Sequence, residues 1–200
     1  MTPRAKRASA LFAGSVLALT SGCGWFRKAD VILLGDSITK LIEEQVTRDV
    51  GDHKVAIHAD WGLRLDQVVD EADALGSDAP DQVIINLGTN NVLQGYDPVS
   101  SVEDLRTIVD AFDGSQCITI VTVNDHMTYR GRDLSAGAIR FNQGIVELAG
   151  SNPRISVLDW NRLLSEHRDE NPISADTVHP DPTGVRLLAG AYRSAILRCA

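Results

Sequence analysis

Five short runs of apolar residues punctuate the chain: Val31 to Leu34, Val55 to Ile57, Val83 to Leu87, Ile118 to Val123 and Ile155 to Leu158. They are rich in β-branched residues and continuously apolar rather than alternating, as a strand covered on both faces must be. Between them, Ile38 to Val50, Leu65 to Leu75, Val99 to Phe112 and Ala136 to Ala149 carry apolar positions at helical spacing. A last helix opens at Pro182-Thr183-Gly184 and runs through Leu197. Strand and helix alternating in this way predict an α/β fold with a doubly wound parallel sheet. Ligands of such sheets bind outside the carboxyl ends of the strands, so the residues just after each run are where chemistry is sought.

The first residues follow a different logic. Arg4, Lys6 and Arg7 form a basic start, Ala8 to Thr20 is uncharged and mostly apolar, and Ser21-Gly22-Cys23 places small residues before a cysteine. This is the pattern of an export signal, and its apolar part falls short of the roughly 20 residues a membrane-spanning helix needs. Leu19 to Cys23 also resembles the lipobox of bacterial lipoproteins, although Thr20 stands where leucine is commonest. Two outcomes are open: cleavage before Cys23 with lipid on its thiol, or an ordinary secretory cut nearby. The expected organisation is a signal at 1–22, a short tether at 23–28 and one domain at 29–200.

Without its first 22 residues the chain keeps 178, enough for one core. Three cations leave with that segment and no acid does, so the net charge of −8 becomes −11. So acidic a surface argues against nucleic acid as a partner and keeps the domain off anionic lipid, leaving a lipid on Cys23 as the route to a membrane. Beyond Cys23 only Cys117 and Cys199 remain. In an exported protein such a pair tends to be bonded, and both residues should lie at the sheet edge remote from the strand carboxyl ends. Two buried free thiols are the other possibility.

Three of the runs end in residues with chemical potential. Gly35-Asp36-Ser37 follows the first and starts a helix, which puts a serine hydroxyl and backbone N–H at the positive end of a helix dipole. Asp36 or Ser37 serving only as a helix cap is the plain alternative. Gly62 follows the second run, there taken to end at Trp61, and Gly88-Thr89-Asn90-Asn91 follows the third. Each has its own plain reading, a turn glycine and a loop-capping asparagine. Asp176 and His179 stand three apart before the last helix, a spacing that lets a carboxylate hold one imidazole nitrogen while the other faces Ser37. His53, His58, His126 and His167 show no metal spacing, so neither a metal nor another cofactor is expected. Asn124 to Arg132, with Met127 and Tyr129, and Trp160-Asn161 also reach the active edge, either to line an acyl or sugar pocket or simply to pack.

Taken in order, Gly35-Asp36-Ser37, Gly62, Gly88 to Asn91 and Asp176 to His179 resemble the SGNH hydrolases, the GDSL-type esterases and lipases. The resemblance covers Ala29 to about the C-terminus. It implies a three-layer flavodoxin-like SGNH fold whose five parallel strands run in the order 2-1-3-4-5, with helices on both faces. It also implies Ser37 as nucleophile, His179 as base and Asp176 as its orienting carboxylate. The oxyanion donors would be the backbone N–H of Ser37 and Gly62 and the side-chain amide of Asn90. The family usually has aspartate where this chain has Asn91, a departure that touches loop packing more than catalysis.

The expected function is a monomeric, exported serine esterase, lipid-anchored at the membrane or secreted. Its substrate would be an acetyl or short acyl ester on a cell-envelope glycan or lipid. An acyltransferase to an envelope acceptor, or a non-catalytic envelope-binding protein that kept the fold, would leave the same sequence. Gly-Asp-Ser is not the Gly-x-Ser-x-Gly elbow, which disfavours the α/β-hydrolase fold.

Overall fold

The computed structural model describes residues 28–48 and 50–199, so the leader, Cys23 and all of the tether but Lys28 lie outside the described residues. The chain runs through β1 (Val31–Gly35), α1 (Ser37–Val46), β2 (Val55–Ala59), α2 (Val69–Gly76), β3 (Gln82–Asn86), α3 (Thr89–Gln94) and α4 (Pro98–Ala111). It continues through β4 (Cys117–Val121), β5 (Thr128–Tyr129), β6 (Arg132–Asp133) and α5 (Ser135–Ser151). The last elements are β7 (Ile155–Leu158), α6 (Trp160–Glu166) and α7 (Pro182–Arg198).

The five expected strands form one parallel sheet in the order β2-β1-β3-β4-β7. This is the anticipated order, the fifth strand being β7 because a small hairpin, β5 with β6, intervenes. Val31 lies level with both Val55 and Gln82, so β1, β2 and β3 start together and release their loops at a common edge.

Both faces of the sheet are covered, which explains why the runs are apolar at every position. On one face Ile32, Leu34, Val83 and Ile85 pack with Leu105 and Ile108 of α4 and Phe141 and Ile145 of α5. On the other, Val31, Leu33 and Ile84 pack with Ile38 and Ile42 of α1 and Leu188, Tyr192 and Ile196 of α7.

Several boundaries differ from the sequence reading. The first helix stops at Val46, where Thr47 donates its hydroxyl to the Glu43 carbonyl. The stretch from Leu65 divides into a 3-10 turn, Leu65–Gln67, and α2. The strand before Gly62 ends at Ala59, not Trp61, so Trp61 belongs to the turn. Helices α3 and α6 and the β5–β6 hairpin were not foreseen, each being too short for a periodicity to register. Met127 and Trp160 are buried in the core rather than lining a cleft, whereas Tyr129 is exposed beneath the Arg130 guanidinium.

Cys117 and Cys199 form a disulfide with their Cα atoms 6.1 Å apart. It joins the start of β4 to the residue after α7, at the edge remote from the strand carboxyl ends, as expected. Among the described residues, no helix is long and apolar enough to cross a membrane.

Candidate active site

Ser37 is the first residue of α1, with one residue between it and the end of the inner strand β1 at Gly35. The helix cap is Asp36, whose Oδ1 accepts from the Ile38 backbone N–H at 2.9 Å. Ser37 is thereby spared the capping role, and its Oγ lies 2.9 Å from His179 Nε2. On the far side of the ring, His179 Nδ1 lies 2.6 Å from Asp176 Oδ2. An ionised carboxylate can only accept, so Nδ1 carries the hydrogen and Nε2 is left as acceptor for the serine hydroxyl. The sequence-predicted trio thus stands in one hydrogen-bonded chain.

The loop bearing Asp176 and His179 is held by its own backbone. Asp176 Oδ1 accepts from the N–H groups of Val178 and His179, at 2.9 and 3.0 Å. Burial pushes the Asp176 carboxyl up, but these bonds and the His179 side chain together outweigh it and hold the group below its ordinary range. Between them Thr177 adopts φ +63°, the left-handed region that a β-branched residue seldom enters. Its hydroxyl donates to the Thr128 carbonyl at 3.0 Å and accepts from the Thr128 N–H at 2.8 Å. Asn124 Nδ2 adds a bond to the Thr177 carbonyl at 2.8 Å. Sequence reading assigned no role to Thr177 or Thr128, and placed Asn124 at the active edge without saying what it does. These partners lie 49 and 53 residues apart, too far for any local pattern to reveal.

Strands β2 and β3 flank β1, so their loops bring Gly62 and Asn90 to either side of Ser37. Gly62 has φ +77°, and a Cβ there would meet nothing within 4 Å beyond its chain neighbours. Asn90 is buried at the start of α3. Its amide donates to the Leu63 carbonyl at 3.0 Å and to Asp36 Oδ2 at 3.2 Å, tying the two loops together over the nucleophile's own turn. Asp36 is fully buried, and desolvation raises its carboxyl to about 7 despite the bonds it accepts from Ile38 and Asn90.

Asn91 has a structural duty. Its Oδ1 accepts from the Leu65 N–H at 3.0 Å and its Nδ2 donates to Ser101 Oγ at 3.3 Å. An aspartate could make both contacts only by having Ser101 donate, so the exchange to asparagine reverses one hydrogen bond without breaking the loop.

Beside the imidazole stands Trp61, 59% exposed, its ring centroid 6.2 Å from that of His179 and tilted by 57°. Farther along the rim the Arg64 guanidinium pairs with both oxygens of Asp66, donates to Gln94 and lies over the Tyr96 ring.

Comparison with known proteins places this geometry. The fold is similar to that of a lipolytic protein of the G-D-S-L family from Veillonella parvula, at 20% identity and a TM-score of 0.71, over 84% of this chain and 98% of that one. It is similar to the C-terminal catalytic domain of peptidoglycan O-acetyltransferase A from Streptococcus pneumoniae, at 20% identity and TM-score 0.68, over 84% and 93%. An acetyl-xylooligosaccharide esterase from Geobacillus gives 15% identity and TM-score 0.69, over 84% and 94%. No curated protein matches the sequence. Residues 33–187, from within β1 to within α7, match the GDSL-like Lipase/Acylhydrolase family, and the chain, with a serine, a histidine and an aspartate in one hydrogen-bonded line, belongs to that family of serine hydrolases.

Proposed function

We propose that the protein is an exported serine esterase that removes acetyl or short acyl groups from a glycan or lipid of the cell envelope. The observation that carries the reading is the unbroken contact from Asp176 through His179 to Ser37. Ser37 Oγ attacks the ester carbonyl carbon as His179 Nε2 takes the hydroxyl proton, and Asp176 stabilises the imidazolium that forms. The oxyanion is met by the backbone N–H groups of Ser37 and Gly62 and by the amide of Asn90. At rest that amide is engaged twice, so it must release one partner; the 3.2 Å contact to Asp36 is the longer, while the Leu63 carbonyl keeps its orientation. Collapse breaks the carbon–oxygen ester bond, and His179 returns the proton to the departing alkoxide. Water then repeats the sequence and frees the acid.

Acetylated polysaccharide chemistry in two similar structures, an acetyl-xylooligosaccharide esterase and a peptidoglycan O-acetyltransferase, supports an acetyl group as the acyl portion. Export and lipid attachment at Cys23 rest on the sequence of the first 23 residues. The intact mass of the mature protein tests them: cleavage elsewhere with no acyl mass would remove the anchor. The catalytic test is labelling by a fluorophosphonate together with hydrolysis of 4-nitrophenyl acetate. Both should vanish in Ser37→Ala with the fold retained, and persistence of either in the variant would dismiss Ser37 as the nucleophile.

A further inference from the structure

We infer that Trp61 is the platform on which a sugar ring of the substrate rests, which makes the ester's carrier a glycan rather than a lipid. The inference builds on the esterase reading and specifies its substrate.

Three observations meet at this residue. A tryptophan exposes 59% of its surface in the turn between β2 and Gly62, where its backbone N–H donates to Asp60 Oδ1 at 2.8 Å. Leaving so large an apolar ring in water is unfavourable, and an exposed indole is a common site of contact energy. Second, its ring lies beside His179, which contacts Ser37, so the indole stands within one residue of the reacting serine. Third, the turn is open at Gly62, since apart from its chain neighbours nothing stands within 4 Å of where a Cβ would be.

An acyl chain needs an enclosed apolar slot to leave water, whereas an open aromatic shelf would keep it half wet. A pyranose ring has the complementary character, with an apolar face of C–H groups for the indole and a rim of hydroxyls that stays hydrated. In an O-acetyl sugar the ester oxygen, with C6 as well where the acetyl is on O6, is all that separates a ring carbon from the reacting carbonyl. A ring resting on Trp61 would thus hold its ester beside His179, the partner of Ser37.

The rim beyond has matching chemistry. Gln94 lies one turn after Asn90 on α3, and with Arg64 and Asp66 it forms a planar polar cluster beside Tyr96, itself 44% exposed. These groups bond to one another, and the carboxylate and amide oxygens keep further lone pairs for the hydroxyls of a neighbouring sugar.

The experiment uses the full chain carrying Ser37→Ala, so that binding is read without turnover. Tetramers of β-1,4-linked xylose and of β-1,4-linked N-acetylglucosamine are titrated calorimetrically. At least one should bind, and adding Trp61→Ala should weaken it by about tenfold or more, with Trp61→Phe in between. Unchanged affinity in the Trp61→Ala double variant, or binding of neither tetramer, would overturn the platform. So would sedimentation with phosphatidylglycerol vesicles that depends on Trp61 while tetramer binding does not. Fluorophosphonate labelling of Ser37 in the wild type is independent of these outcomes: labelled Ser37 with no sugar bound leaves an esterase of another substrate, and sugar bound through Trp61 without labelling leaves a lectin-like site without the proposed chemistry.

Discussion

Asp36 sits between two duties, capping α1 with one carboxylate oxygen and receiving the Asn90 amide with the other. Its burial gives a signed consequence. The unfolded chain releases this proton near the ordinary value of 3.8, whereas the folded protein holds it to about 7. Within that window the native state binds more protons, so this group's stabilising contribution, full below about 4, is lost as pH rises toward 7. Asp36→Asn should flatten the fall in unfolding free energy across pH 4 to 7 by about one proton's worth, measured by denaturant titration at several pH values. It also turns a donor toward the Asn90 amide, so turnover should drop. Asn90→Ala should lower kcat by about 10²–10³ with a smaller change in KM, because the donor acts mainly in the transition state. An unchanged kcat would return Asn90 to a purely structural role.

At the scale of elements, what was legible is what burial writes into sequence. The strands were readable because helices cover both faces, so Val83 to Ile85 had to be apolar throughout. The first three SGNH motifs were readable because each follows such a run, and the fourth because Asp176 and His179 stand three apart before α7. What escaped is built from short pieces and long-range polar bonds: the six-residue α3, the two-residue strands β5 and β6, and the Thr128–Thr177 and Asn124–Thr177 clamps. Trp61 was visible as a residue, yet its exposure beside His179 follows only from how far β2 extends. The turn from β3 into α3 is held by contact with a third element. Gly88 has φ +110°, and a Cβ there would run into the ring of Phe141, a fully buried residue of α5. Gly88→Ala should therefore cost roughly 2–4 kcal/mol, left-handed strain adding to overpacking. Thermal unfolding would register this as a lowered Tm, and kcat should fall as well, because Asn90 lies two residues on. A Tm equal to the wild type would mean that α5 yields without cost.

Across the whole molecule, the disulfide closes a stretch of 82 residues that carries β4, β7 and the loop of Asp176 and His179. In the chain-entropy account such closure stabilises by about 4 kcal/mol, so reduction should lower Tm by roughly 10 °C while leaving kcat near its oxidised value below the transition. A large loss of kcat on reduction, with the fold intact, would instead tie the bond to the chemistry. All five strands of the sheet point the same way, and this gives the body a polarity. Lys28 and Val31 enter at its base, Cys199 is fastened there too, and Ser37 and His179 occupy the opposite end, about 17 Å of strand away. Attachment through the segment before Lys28 would set the protein down on its base with its catalytic end turned outward. Esters in the supporting membrane would then lie behind it, and polymer strands passing overhead would lie in front.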